Sequence, residues 1–129
     1  MKFFLSKPSA VDKIISVHYY YGQMGRKRIS FSQIKGFDWD KGNIDKNWRQ
    51  HRVTNKEAEE VFSNQPLLIA EDEKHSQVEQ RFVALGRTNS NRYLFIAFTI
   101  RDEKIRIISA RDQGRKERRE YEKALKTNS

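Results

Sequence analysis

The chain contains no cysteine, which rules out disulfide staples and thiolate metal sites and makes a reducing compartment its natural setting. No apolar stretch is long enough to span a bilayer. The opening residues offer only Phe3, Phe4 and Leu5 before Lys7 and Pro8, too short for the apolar core of a secretory leader. A cytoplasmic protein with no membrane association is expected. Also missing are a glycine-rich phosphate loop, an HExxH helix and a GxSxG turn. The three histidines, His18, His51 and His75, are too scattered to indicate a metal centre. No metal and no cofactor is expected.

Basic charge is what the chain has in excess: 26 Lys and Arg against 17 Asp and Glu in 129 residues, a net +9. Residues 1–35 hold seven basic residues and one acidic, and residues 101–129 hold ten and six. The stretch between is nearly neutral. Surplus charge at both ends of a neutral middle suits a polyanionic partner such as RNA. A solvated surface with no specific partner is the alternative.

Residues 1–33 are read as an N-terminal extension or arm, with an apolar and aromatic run, Ile14–Tyr21, before the basic cluster Arg26-Lys27-Arg28. That run fits a weak strand or a helix, and Met24 is an alternative start. Residues 34–127 form the expected domain. Ile34–Trp39 reads as a short strand. Asp40 is positioned to cap a helix reaching His51, with Ile44, Trp48 and His51 on one face. Thr54-Asn55-Lys56-Glu57 is a capping box flanked by Val53 and Ala58, so a second helix starts near Asn55 and stops before Pro66. Four apolar runs follow, Leu67–Ala70, Arg81–Arg87, Arg92–Arg101 and Lys104–Arg111. Short turns make the later ones an antiparallel meander, with Thr99 opposite Arg106. A charged helix from Arg115 to about Lys126 ends the domain, with Tyr121, Ala124 and Leu125 on one side. The predicted fold is α+β, an antiparallel sheet of about four to five strands with helices covering one face.

This inventory suits one reaction, metal-free RNA cleavage by attack of the 2′-hydroxyl on its own phosphate. Such a site needs a proton acceptor, a proton donor and cations around the phosphorane. Arginine fits the last role because its planar fork grips two phosphate oxygens. Arg81, Arg87, Arg92, Arg101, Arg106 and Arg111 fall in strands or at their ends. Several must share a face, although each alone is also explained as an edge charge. His51 is a proton carrier or a helix-terminal cap. His75, beside Lys74 in a polar loop, is an RNA contact or solvent-facing. Tyr121 is a site residue or a core residue.

At this point the residues resemble a family. Phe37-Asp38-Trp39-Asp40, then Asn47 and His51, looks like the WDxxKxxxNxxKHGV opening of BrnT toxins. Leu85-Gly86-Arg87-Thr88 is similar to their central strand. Ile108-Ser109-Ala110-Arg111 followed by Lys116-Glu117-Arg118 and Tyr121-Glu122 is similar to their ISAR strand end and KERxxYE helix. The chain departs from that pattern at Asn43, Gln50 and Arg52, so a cation near the first helix is either missing or supplied by Lys46 or Arg52. The resemblance implies a RelE-like fold and the toxin of a type II toxin–antitoxin system, an endoribonuclease whose cutting of RNA arrests growth. It implies a BrnA-like ribbon–helix–helix antitoxin as partner, with operator DNA reached only through that antitoxin. The expected catalytic set is His51, Arg81, Arg111 and Tyr121. Lys74, His75, Arg87, Arg101, Arg106, Arg115 and Arg118 are expected to bind RNA. The rival is a non-catalytic nucleic-acid-binding or regulatory protein that retains antitoxin binding.

Overall fold

The structure, a computed structural model, describes residues 34–127 and three two-residue strands before them: β1 (Phe4–Leu5), β2 (Tyr20–Tyr21) and β3 (Arg28–Ile29). Most of the Ile14–Tyr21 run and of the basic cluster lies outside the described residues. The domain continues with β4 (Gly36–Phe37), α1 (Lys46–His51), α2 (Asn55–Val61), β5 (Leu68–Glu71), β6 (Arg81–Arg87), β7 (Tyr93–Arg101), β8 (Lys104–Asp112) and α3 (Arg115–Thr127). One sheet runs β1-β5-β6-β7-β8-β4, and β2 and β3 pair separately. Phe4 and Leu5, within the expected arm, pair with Ile69 and Leu68 at the sheet edge.

The expected meander is present. Thr99 lies opposite Arg106 and Arg101 opposite Lys104, so the tight turn at Asp102-Glu103 sets the register. The central strand β7 alternates sharply: Leu94, Ile96 and Phe98 are buried, while Tyr93, Phe95 and Ala97 are half-exposed. A register shift after Ala97 leaves Ile108 as the extra residue of a bulge in β8. The sheet is antiparallel except at β4, which pairs with β8 in parallel through Gly36–Lys104 and Phe37–Ile105.

The helices do not share one face, which corrects that part of the expectation. Val53, Ala58, Val61 and Phe62 at α2 pack with Leu94, Ile96, Phe98, Ile105 and Ile107 in the main core. Tyr121 and Ala124 of α3 pack with Leu68 and Leu85, and against Tyr93 and Phe95, in a second cluster. Leu85 and Ala84 belong to different clusters, as do Phe95 and Ile96, so α3 takes the opposite face of the pleat. An amphipathic helix needs an apolar sheet face, and α2 already fills the first one.

The capping box forms as its spacing demands, with Thr54 Oγ1 accepting from Glu57 N–H and the Glu57 carboxylate accepting from Thr54 N–H. The first helix starts later than predicted, after a turn at 41–45, because the Asp40 side chain bonds Arg106 instead of capping. Beyond that turn α1 lies along the free edge of β8. Asn43 donates to Ile107 O and Lys46 to Ile108 O, and Asn47 accepts the Ala110 N–H at 3.0 Å. The helix thus takes up hydrogen bonds that a neighbouring strand would otherwise make.

Candidate active site

The strand arginines fall into groups with different work. On the α3 side of the sheet, Arg111 lies over the Phe95 ring at 4.0 Å and Arg118 over the Tyr93 ring at 5.0 Å. Both Arg111 terminal nitrogens donate to Glu117, each at 2.9 Å. Glu117 also accepts the Gly114 N–H at 2.7 Å, which ties the start of α3 to the end of β8. Burial pushes the Glu117 carboxyl up, but the Arg111 guanidinium and the Gly114 N–H together outweigh it and hold it below the usual glutamate value. Arg87 shares this face, opposite Tyr93 in the register and close enough to Tyr121 for its charge to be felt there. Arg115, the first residue of α3, is exposed. The result is one carboxylate among several guanidinium groups, on two half-exposed aromatic rings.

The other arginines are more fully committed. Arg92 donates to Asp112 at 2.7 and 3.1 Å, to Arg52 O at 2.7 Å and to His51 O at 3.2 Å, and reaches Glu57 at 3.4 Å. It joins the α1–α2 corner to the β7–β8 end. Arg101 is held two-pronged by Glu79, at 2.7 and 3.0 Å. Arg106 is paired with Asp40, and with Asp38 at 3.6 Å. These carboxylates neutralise two side chains expected to bind RNA. Beside Arg106, a pocket of about 320 Å³ is lined by Asp40, Asn43, Lys46 and Ile108 among others. Lys46 is a cation in this pocket, and its ammonium donates to Ile108 O. One lining acid, Asp40, pairs with Arg106 there, and Asp38 reaches the same guanidinium from outside the lining, which leaves Lys46 as the second cation of the pocket.

The four expected catalytic residues are not gathered at one point. Tyr121 is a core residue: it is fully buried, its hydroxyl donates to Pro66 O at 2.7 Å, and burial pushes its ionisation well above the usual tyrosine value. It has no route to a substrate, and its expected catalytic role is withdrawn. His51 ends α1 near Asp112, whose carboxyl its charge helps to lower, on the α1–α2 side of β8. Arg111 projects to the other side. Arg81 shares the face of Arg111 but lies opposite Thr99, four residues along β7 from Phe95, or roughly 13 Å. Lys74 and His75 sit on an exposed 3-10 turn, with His75 Nδ1 2.8 Å from Asp72. Sequence reasoning named Glu117 only as part of a motif. Its place three residues after Gly114 is the signal for a carboxylate at a helix start.

Residues 39–117 match the family described as "Ribonuclease toxin, BrnT, of type II toxin-antitoxin system", and the chain belongs to that family. RNA as substrate and an antitoxin as partner follow from that membership. No curated protein matches the chain. Among the described residues, no helix is long and apolar enough to cross a membrane.

Proposed function

We propose that this toxin is a metal-independent endoribonuclease that cuts RNA on the α3 side of β7 and β8 and thereby arrests growth. The observation that carries the reading is the two-pronged grip of Arg111 on a carboxylate, the geometry in which arginine also holds phosphate. An RNA phosphate takes the place of the Glu117 carboxylate in that fork. Glu117 stays beside it, tethered by Gly114 N–H. Without its guanidinium partner the carboxylate becomes a better base. The 2′-hydroxyl gives its proton to Glu117 as its oxygen bonds to phosphorus. The bond from phosphorus to the 5′-oxygen breaks, and that oxygen takes a proton from water. The products are a 2′,3′-cyclic phosphate and a 5′-hydroxyl. Arg111 holds the charge that builds on the phosphorane, while Arg87, Arg115 and Arg118 hold neighbouring phosphates.

Residues 34–127 are the toxin domain in this reading, working in the cytoplasm. The partner is a BrnA-like ribbon–helix–helix antitoxin through which operator DNA is reached, as the sequence resemblance implies. The test is cleavage of total RNA by the full chain in EDTA. Arg111→Ala and Glu117→Gln should each lose roughly a hundredfold or more in rate. Glutamine still completes the capping arrangement at the start of α3, so the fold should hold. Full activity in Glu117→Gln refutes the proton transfer. Activity lost in EDTA and restored by magnesium refutes metal independence. A chain that binds antitoxin but never cuts RNA is the non-catalytic rival.

A further inference from the structure

The segment 41–51, made of the turn at 41–45 and α1, is inside out. Its inward positions are amides: Asn43 and Asn47 are buried against β8. Its outward positions are apolar: Ile44 is 44% exposed and Trp48 48% exposed. A surface helix ordinarily presents the reverse. Ile44 lies in the turn two residues before α1 and Trp48 lies within the helix, and both reach the surface. Val78 is the other large apolar residue at the surface among the described residues, and it lies far away in sequence. Edge pairing explains the amides, and nothing in the domain explains the tryptophan.

We propose that this Ile44–Trp48 face is the anchor for the antitoxin, filled by a segment that brings an apolar ridge flanked by carboxylates. The proposal rests on the partner implied by toxin–antitoxin membership and not on the cleavage mechanism. Three observations favour a protein occupant of that chemistry. Exposed tryptophan and arginine are the side chains that dominate tight protein interfaces. Ile44 adds a second exposed apolar side chain close to Trp48 in sequence, which suits a protein segment, whereas a stacked nucleobase needs only a ring. Arg52 already lies over the Trp48 ring at 5.2 Å. The flanking cations point to the charge of the partner. Arg49 and Arg52 have no carboxylate partner among the described residues, unlike Arg92, Arg101, Arg106 and Arg111, though like Arg87, Arg115 and Arg118 on the other side. The partner supplies the missing acids, and the net +9 of the chain favours an acidic segment on approach.

The test is titration calorimetry of the full chain with its cognate antitoxin, alongside binding of a single-stranded RNA oligonucleotide. Trp48→Ala should weaken antitoxin binding roughly thirtyfold or more. Ile44→Asp should do likewise, by placing a like charge against the acidic segment. RNA binding and cleavage should stay within about twofold, and thermal midpoints should hold because both positions are exposed. Trp48→Phe should retain part of the affinity, which separates a packing contact from misfolding. Antitoxin affinity unchanged in Trp48→Ala overturns the proposal. A loss confined to RNA, or equally large for RNA, also overturns it and makes the ring a base platform. No binding by the unaltered chain overturns the surface and the partnership together.

Discussion

Replacing Arg92 should test whether the strand arginines divide into supports and substrate contacts. Arg92 fastens three pieces of chain: the carbonyls of His51 and Arg52, Glu57 on α2, and Asp112 at the end of β8. Hydrogen bonds to charged groups contribute about 1.5–3 kcal/mol each when buried. The side chains of Arg92 and Glu57 are about three-quarters buried, but that of Asp112 is mostly exposed, so solvent screens the shortest contact. Leucine at this position should therefore destabilise the fold by about 2 kcal/mol, not by the sum of the bonds. For a domain of this size the thermal midpoint should fall by roughly 8 °C. Lysine should recover only part of the loss, because one ammonium cannot reproduce the guanidinium fork. Acid should narrow the difference, because the carboxylate contacts are lost while those to the His51 and Arg52 carbonyls remain. Hydrogen bonding from Arg92 holds the Asp112 carboxyl below its ordinary 3.8, overcoming the upward push of burial. A depressed carboxyl contributes stability in full above its unfolded value and loses it as pH falls through the lower folded value. The gap between native and Arg92→Leu midpoints should thus be widest near neutrality and narrow below about pH 4. An Arg92→Leu chain with an unchanged midpoint, or one that melts normally but no longer cuts RNA, would refute the assignment of Arg92 as a support.

Three further outcomes follow from local geometry. A Cβ on Gly86 would come within 2.5 Å of a Val61 methyl, so Gly86→Ala should cost about 1–3 kcal/mol by prising α2 from the sheet, read by urea denaturation. Asp102 and Glu103 both hold positive φ, 52° and 63°, in the β7–β8 turn, so Glu103→Gly should stabilise the fold by about 1 kcal/mol in the same measurement. Tyr121→Phe removes the hydroxyl that serves Pro66 O and should cost about 1 kcal/mol, with RNA cleavage unchanged if the residue is purely core.

The elements legible in the sequence were those whose signal is local. The capping box at Thr54, the apolar run Tyr93–Phe98 and the turn at Asp102-Glu103 each announce an element within a few residues, and each element is found. The face of the sheet that α3 would choose was not local information. It depends on α2 having already covered Leu94, Ile96 and Phe98, a decision taken some sixty residues earlier in the chain. The pairing of the strand arginines was less legible for a related reason. Arginine shows in a sequence as a cation, but which carboxylate it meets depends on strand register and on the far side of the pleat. Thus Arg101 and Arg106, expected to reach RNA, are held by Glu79 and Asp40, as Arg111 is held by Glu117. Tyr121 lies on the apolar side of α3, as expected, but only the packing of that side against Leu68 and Leu85 seals it from solvent.

The way α1 dresses the edge of β8 has a consequence for assembly. A bare edge invites another chain to add itself as an extra strand, the route to both partner capture and aggregation. Here β4 occupies the edge at Lys104 and Ile105, and the side chains of Asn43, Lys46 and Asn47 occupy it at Ile107, Ile108 and Ala110. No run of free backbone groups remains there for a foreign strand to zip onto. A protein that engages this end of the domain must recognise side chains and not main chain. Its selectivity is then written in the identities of a few exposed residues, and a single substitution among them can redirect it.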